Sequence, residues 1–270
     1  MKIHTRRFAL MMPLLLALTA CAGGDKYPFP PQFVDGRDVT PQVLPAPPEK
    51  FSATYTAEIE GILKRQAALT DADKAKVAAE DHIRPAMIVT PVLGSAYTEE
   101  AYPALFTLLR HSASDAWRLA DATQDHWSRQ RPWVADDRVE LLVSPITRPS
   151  YPSGHTVTNH VWAHVLSELF PNKRAALFAR AYAVGKHRVD AGVHFPSDVA
   201  AGKKFAAIVF AKMRSKPEFK RELAAARAEL KKPNRIARGD DAALPHGTVP
   251  KAPAAPCITP KPGESMTMCR

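Results

Sequence analysis

Cysteine is scarce in this chain: three residues in 270, at Cys21, Cys257 and Cys269. No metal-binding spacing includes any of them, which excludes a cysteine-held metal as the source of chemistry. Long apolar runs are also missing. Phe8 through Ala20 is apolar but too short for a comfortable membrane span, and no later stretch of the chain supplies one. Alternating apolar and polar residues never persist long enough for a sheet, and no internal repeat is visible. Acidic residues fall short of basic ones, giving a formal net charge of +10. No DNA- or RNA-binding motif accompanies that excess, so the charge does not make this a nucleic-acid protein. Many of the cations lie between Lys203 and Arg238, as on a solvated helix face.

What is present begins with a leader. Lys2, Arg6 and Arg7 precede the apolar run, and Leu18-Thr19-Ala20-Cys21 closes it. That ending resembles a bacterial lipobox, with Cys21 as the lipidated first residue of the mature protein. The alternative is an ordinary secretory cut near Ala20, with Cys21 left as a thiol. Ala22 after the cysteine suggests outer-membrane sorting, facing the periplasm, while Arg6-Arg7 fits twin-arginine export poorly. Removing Lys2, Arg6 and Arg7 from +10 leaves +7 for the mature chain. In an oxidising compartment Cys257 and Cys269 can pair, or remain two free thiols.

Composition divides the rest. Residues 22–50 are rich in proline and read as a stiff tether. Residues 51–232 carry the domain, and 233–270 turn to Pro, Lys, Gly and Ala, as in a loose tail. Within 51–232 the spacing predicts helices over 54–69 and 72–82, the second started by Thr70-Asp71. Pro85, Pro91 and Gly94 predict a loop. A long helix follows over 99–128, where Leu105, Leu108, Ser112, Ala116 and Leu119 share one face. Residues 131–150 read as loop, with 139–143 a candidate extended piece. Ser153 caps a buried helix reaching 170, striped by Val157, Val161 and Val165. Helices over 173–189, 197–213 and 216–231 complete an expected all-α, single helical bundle.

Three short stretches carry the chemistry: Arg131-Pro132, then Pro152-Ser153-Gly154-His155, then Arg188 with His194 and Asp198. Two arginines suit a phosphate dianion. Ser153 and Gly154 open a helix, where free amides and a hydroxyl face an anion and glycine lets the backbone come close. His155 lies in that first turn, placed to move a proton. Asp198 falls four residues after His194, where a carboxylate can accept the Nδ1 proton and leave Nε2 free to attack. Phosphoryl transfer without a metal needs such a set: fixed positive charge, a nucleophile, and an acid for the leaving group.

The order of these stretches resembles the PAP2 superfamily pattern Lys-x6-Arg-Pro, Pro-Ser-Gly-His, Ser-Arg-x5-His-x3-Asp. From about Leu44 to about Leu230 the chain is similar to class A bacterial non-specific acid phosphatases, including Ala78-Ala79-Glu80-Asp81, Asp125-His126 and Ser150-Tyr151. The resemblance implies His194 as nucleophile through a phosphohistidine, Asp198 as its orienting carboxylate and His155 as general acid. It implies Arg131, Arg188, Ser153 and Gly154 as phosphate-binding groups, with Gln124 at the place of the family's lysine. His187 stands where the family has serine. Neither a metal nor an organic cofactor is implied.

The expected function is hydrolysis of phosphomonoesters, with broad specificity and an acidic optimum. Arg129, or a protonated His187, is expected to supply part of the charge that Gln124 lacks, unless Arg129 merely faces solvent. The substrate is the one partner implied, besides a membrane met only through the lipid anchor; a homo-oligomer is left open. Three alternatives stand beside this: a lipid phosphate or pyrophosphate phosphatase, a vanadium-dependent haloperoxidase, and a non-catalytic phosphate-binding envelope lipoprotein. Gln124 is the main argument for the last.

Overall fold

The computed structural model of the protein describes residues 29–232. The leader with Cys21, and the tail with Cys257 and Cys269, lie outside the described residues. Helix α1 (Ala53–Ala67) starts at Ser52, whose hydroxyl accepts from the Tyr55 N–H at 3.2 Å. Helix α2 (Asp71–Ala79) starts at Thr70 in a reciprocal cap with Asp73, as Thr70-Asp71 predicts. Then come α3 (Ala86–Leu93), α4 (Pro103–Trp127), the single turn α5 (Pro132–Ala135), α6 (Gly154–Leu169), α7 (Arg174–Asp190), α8 (Pro196–Ser215) and α9 (Pro217–Leu230). No strand occurs among the described residues, and the fold is all-α.

Helix α6 is the axis of the bundle. Val157, Val161 and Val165 are buried as expected, but so are Trp162, Ala163 and Leu166 on its other faces. It is buried nearly all round because α4, α7 and α8 enclose it. Trp162 stays inside by donating its indole N–H to the Leu109 carbonyl at 2.8 Å. Helix α9 closes the bundle against α4.

Two expectations about loops need correction. Pro85 and Pro91 predict a loop, yet residues 86–93 are helical. Pro85 fits the start of the helix, and Met87, Ile88 and Val89 supply a buried side. Pro91 cannot donate to Met87, four residues back. The orphaned Met87 carbonyl instead accepts from Arg180 Nε at 2.7 Å. Residues 139–143 form no strand. They are pinned as loop by Gln66, which donates to the Glu140 carbonyl at 2.7 Å and accepts from its N–H at 3.0 Å.

The proline-rich stretch is also not a free tether where it is described. Phe33, Val34, Val39 and Leu44 are buried in the main core. The cause is a single buried carboxylate on α4: Asp115 accepts from the N–H groups of Gln32, Phe33 and Val34 at 2.9, 2.7 and 3.0 Å. The Pro45 carbonyl accepts from the Tyr151 hydroxyl at 2.8 Å. Asp115→Ala would leave three backbone donors without their acceptor in a closed site. We expect it to cost about 3 kcal/mol, read as a lower urea midpoint with early proteolysis before Leu44. A midpoint within error of wild type would show that the segment is held by its apolar residues alone.

Candidate active site

The fold brings the three motif stretches to one end of α6. Ser153 caps that helix: its hydroxyl accepts from the Thr156 N–H at 3.4 Å and the Thr156 hydroxyl at 3.0 Å. Its own N–H donates to the Asp198 carbonyl at 3.1 Å, which ties the start of α6 to the start of α8. On α7 the buried positions Leu177, Ala181 and Val184 continue to Arg188, so the arginine ends an apolar stripe and points inward. Gly192 then reverses the chain at φ +75°; a Cβ there would lie 2.3 Å from the Glu140 carbonyl oxygen. That turn returns His194 to the end of α6. Asp198, in the first turn of α8, caps it by accepting from the Phe195 N–H at 2.8 Å.

Arg131 braces these loops. Its Nε donates to the Arg148 carbonyl (2.7 Å), Nη1 to the Val193 carbonyl (2.8 Å), and Nη2 to the Pro149 carbonyl (3.0 Å). Nη1 also lies 3.2 Å from His194 Nε2. A guanidinium only donates, so Nε2 of His194 is the acceptor, unprotonated, and the ring proton sits on Nδ1. Burial, followed by the charges of Arg131 and Arg188, holds the His194 imidazole well below the usual histidine range. His194 is therefore neutral, with its lone pair at Nε2.

Behind it, Asp198 Oδ2 is 3.4 Å from His194 Nδ1, but the pair is not aligned as a hydrogen bond and Nδ1 has no partner. The expected orienting carboxylate is in place but not closed on the ring. His155 is likewise buried, and its Nε2 lies 3.0 Å from the Asp81 carbonyl, to which it donates. Burial, then Arg188 and His194, push its pKa well down as well.

Arg188 is the anomaly. It is fully buried, and among the described residues none of its three guanidinium nitrogens has a hydrogen-bond partner. The nearest carboxylate oxygen, Oδ1 of Asp81, is 3.6 Å from Nη1 and is itself unpartnered. Burying a guanidinium without hydrogen bonds costs several kcal/mol unless something completes it. The three orphaned donors of Arg188 outline a place for a group with several acceptor oxygens. Asp81 received no role from the sequence, although Ala78-Ala79-Glu80-Asp81 was visible. Its Oδ2 accepts from the Ser144 N–H at 3.2 Å, so one residue joins Arg188, His155 and the 136–150 loop. The signal was weak: a carboxylate just past a helix end is commonplace.

Three expected roles look different in the fold. Gln124 is buried, but its Nε2 donates to the Pro152 carbonyl at 2.8 Å, so it supports the Ser153 turn instead of facing an anion. His187 cannot replace the family's lysine charge, because its Nδ1 is 2.8 Å from Glu80 Oε2, on another side of α7 from Arg188. Arg129 neither faces solvent nor stands free for a phosphate: it is buried and ion-paired with Asp198 and Glu58. Gly154 meets a packing demand as well, since a Cβ there would lie 3.2 Å from the Trp117 ring on α4. No group of three or more histidine, cysteine or acidic side chains among the described residues is arranged to hold a metal ion. No helix among them is long and apolar enough to cross a membrane.

The PAP2 superfamily model matches residues 106–219, which hold both histidines, Asp198, Arg131 and Arg188. A non-specific acid phosphatase of Salmonella typhimurium is 31% identical over 207 residues, covering 73% of this chain and 82% of that protein. A lipid A 1-phosphatase of Rhizobium johnstonii is 45% identical over 58 residues, 22% of this chain and 24% of that one. Among solved structures, the crystal structure of Aquifex aeolicus LpxE aligns with a TM-score of 0.45 at 24% identity, covering 62% of this chain and 97% of that one. With the motifs assembled at one helix end and a match running through most of a phosphatase's length, the chain belongs to the PAP2 superfamily, alongside the bacterial non-specific acid phosphatases.

Proposed function

We propose that this protein hydrolyses phosphomonoesters by double displacement through His194. The observation that carries the proposal is the buried, unpartnered guanidinium of Arg188 beside a neutral imidazole whose Nε2 is unprotonated. A phosphoryl group completes Arg188, whose planar fork matches two of its oxygens. The N–H groups in the first turn of α6 face the same anion.

His194 Nε2 attacks phosphorus in line, forming the P–N bond as the P–O bond to the leaving group breaks. The electron pair goes to that oxygen, which takes a proton from His155. Burial first, and then Arg188 and His194, disfavour a charged His155. A bound phosphate dianion opposes that bias and favours a second proton on His155 as substrate arrives. Water then attacks phosphorus, His155 takes its proton, and the P–N electron pair returns to Nε2 with release of inorganic phosphate. Asp198 stabilises positive charge on the His194 ring once it moves into line with Nδ1.

The test is turnover of p-nitrophenyl phosphate across pH 4–8 with excess chelator present. We expect activity with its optimum on the acid side of neutrality, inhibition by inorganic phosphate, and no loss in EDTA. Activity abolished by EDTA and restored by zinc or magnesium would contradict the proposal. A lipid-linked phosphomonoester is the second reading, favoured by the short, closer match to a lipid A 1-phosphatase. It uses the same site and chemistry, and assays with a water-soluble ester beside a micellar phospholipid monoester separate the two.

A further inference from the structure

Asp198 does not stand behind His194 alone. Arg129, in the link between α4 and α5, places Nη1 2.5 Å from Asp198 Oδ1 and 2.7 Å from the Ser197 hydroxyl. Its Nη2 donates to Glu58 Oε2 on α1 at 3.0 Å. Glu58 in turn accepts from the Ser197 N–H at 2.5 Å through Oε1 and from the Ser197 hydroxyl at 2.8 Å through Oε2. The guanidinium carbon also sits over the Phe195 ring, 3.8 Å from its centroid. Three segments distant in sequence thus meet at one buried cation.

We infer that Arg129, clamped by Glu58, is a positioning residue that sets the ionisation and aim of Asp198, and through Asp198 the basicity of His194. The inference rests on the phosphatase reading above and adds two residues to it. A purely structural clamp has no need to reach Asp198. Arg129, however, bonds Oδ1, leaving Oδ2 to face both the Phe195 N–H and His194 Nδ1. The two oxygens are thereby divided between support and the nucleophile. Lysine cannot substitute, because one ammonium cannot span Asp198, Ser197 and Glu58 while stacking on a ring.

The electrostatics agree in direction. Burial raises Asp198 to about 6 despite the opposing pull of Arg129. Removing Arg129 lets it rise further, so a smaller fraction is ionised at any acidic pH. Removing the Glu58 charge leaves Arg129 acting on Asp198 alone, which lowers it. The other ionisable groups around that carboxylate are His194 on its own loop, Arg131 from the α4–α5 link, and Tyr151 from the segment before α6. The phenol of Tyr151 is pushed up to about 12 by burial and then by Asp198. None of these is changed by the two substitutions, so opposite shifts isolate the clamp.

The experiment compares wild type, Arg129→Gln, Arg129→Lys and Glu58→Gln, measuring kcat and KM for p-nitrophenyl phosphate from pH 4 to 8. Arg129→Gln is expected to lower kcat about 100-fold with KM changed less than about 3-fold, and to move the acid limb upward by about one pH unit. Glu58→Gln should move that limb downward with a smaller loss of kcat. Arg129→Lys should return the limb toward wild type while kcat stays low. Limbs that move together, or not at all, in folded protein would overturn the inference. If Arg129→Gln fails to fold, Glu58→Gln and Arg129→Lys decide the matter alone. If wild type turns over no phosphoester, the functional reading fails separately. The Asp198 carboxyl titration, followed by carbon-13 NMR, then decides: a midpoint unmoved in Glu58→Gln rejects the clamp, and a lower one supports it.

Discussion

His194→Ala is expected to remove phosphomonoester turnover almost entirely, by about 10⁵-fold in kcat, with the protein still folded. The size of the effect follows from the arrangement. His194 Nε2 carries the lone pair that Arg131 orients, and no second nucleophile shares that position in the proposed mechanism. Ser153 lies close by but accepts from two groups of Thr156, so its hydroxyl serves the cap of α6. The substitution should leave phosphate binding largely intact, because Arg188 and the first turn of α6 remain. An alanine variant that kept a tenth of wild-type kcat would mean that water is activated directly. Equilibrium binding of inorganic phosphate, measured alongside, separates loss of the nucleophile from collapse of the site.

Arg188→Met should have the next largest effect and a different pattern. Here kcat/KM is expected to fall about 10³-fold, or about 4 kcal/mol of transition-state stabilisation. Thermal stabilisation by inorganic phosphate should vanish with it. Arg188 is buried with no hydrogen-bond partner for its three nitrogens among the described residues, and a bound phosphate supplies acceptors for them. Asp81, left without the nearby cation, is expected to be costly in the variant, so its melting temperature needs comparison with wild type in phosphate-free buffer. Undiminished stabilisation by phosphate in Arg188→Met would place the anion elsewhere.

Much of this was legible in the sequence because the relevant signals are local. The stripe on α6 and the Thr70 cap are read within a turn or two of helix. Arg131, Ser153, His155, Arg188, His194 and Asp198 were legible as a set through the order and spacing of their motifs, and the fold does bring them together. What could not be read depends on contacts between distant segments. Asp115 draws in residues 32–34 from more than eighty positions away, so proline content alone suggested a tether. Pro91 fits inside α3 because Arg180, on α7, takes the carbonyl it frees. Arg129 looked like a solvent-facing cation or a spare phosphate ligand; its partner Glu58 lies seventy-one residues earlier. Spacing rules report which side chains share a helix face, and they are silent about which loops meet.

The central claim is that phosphorus becomes bonded to His194 during turnover. The most direct measurement mixes enzyme with a radiolabelled phosphomonoester at mildly acidic pH and stops the reaction in strong base within milliseconds. A phosphohistidine survives base and is lost in acid, and digestion locates the label. The account predicts substoichiometric but prompt labelling of the peptide containing His194, stable to alkali, labile to acid, and absent from His194→Ala. Label on another residue, or burst-free turnover with no trapped phosphoenzyme from pH 4 to 8, would contradict it.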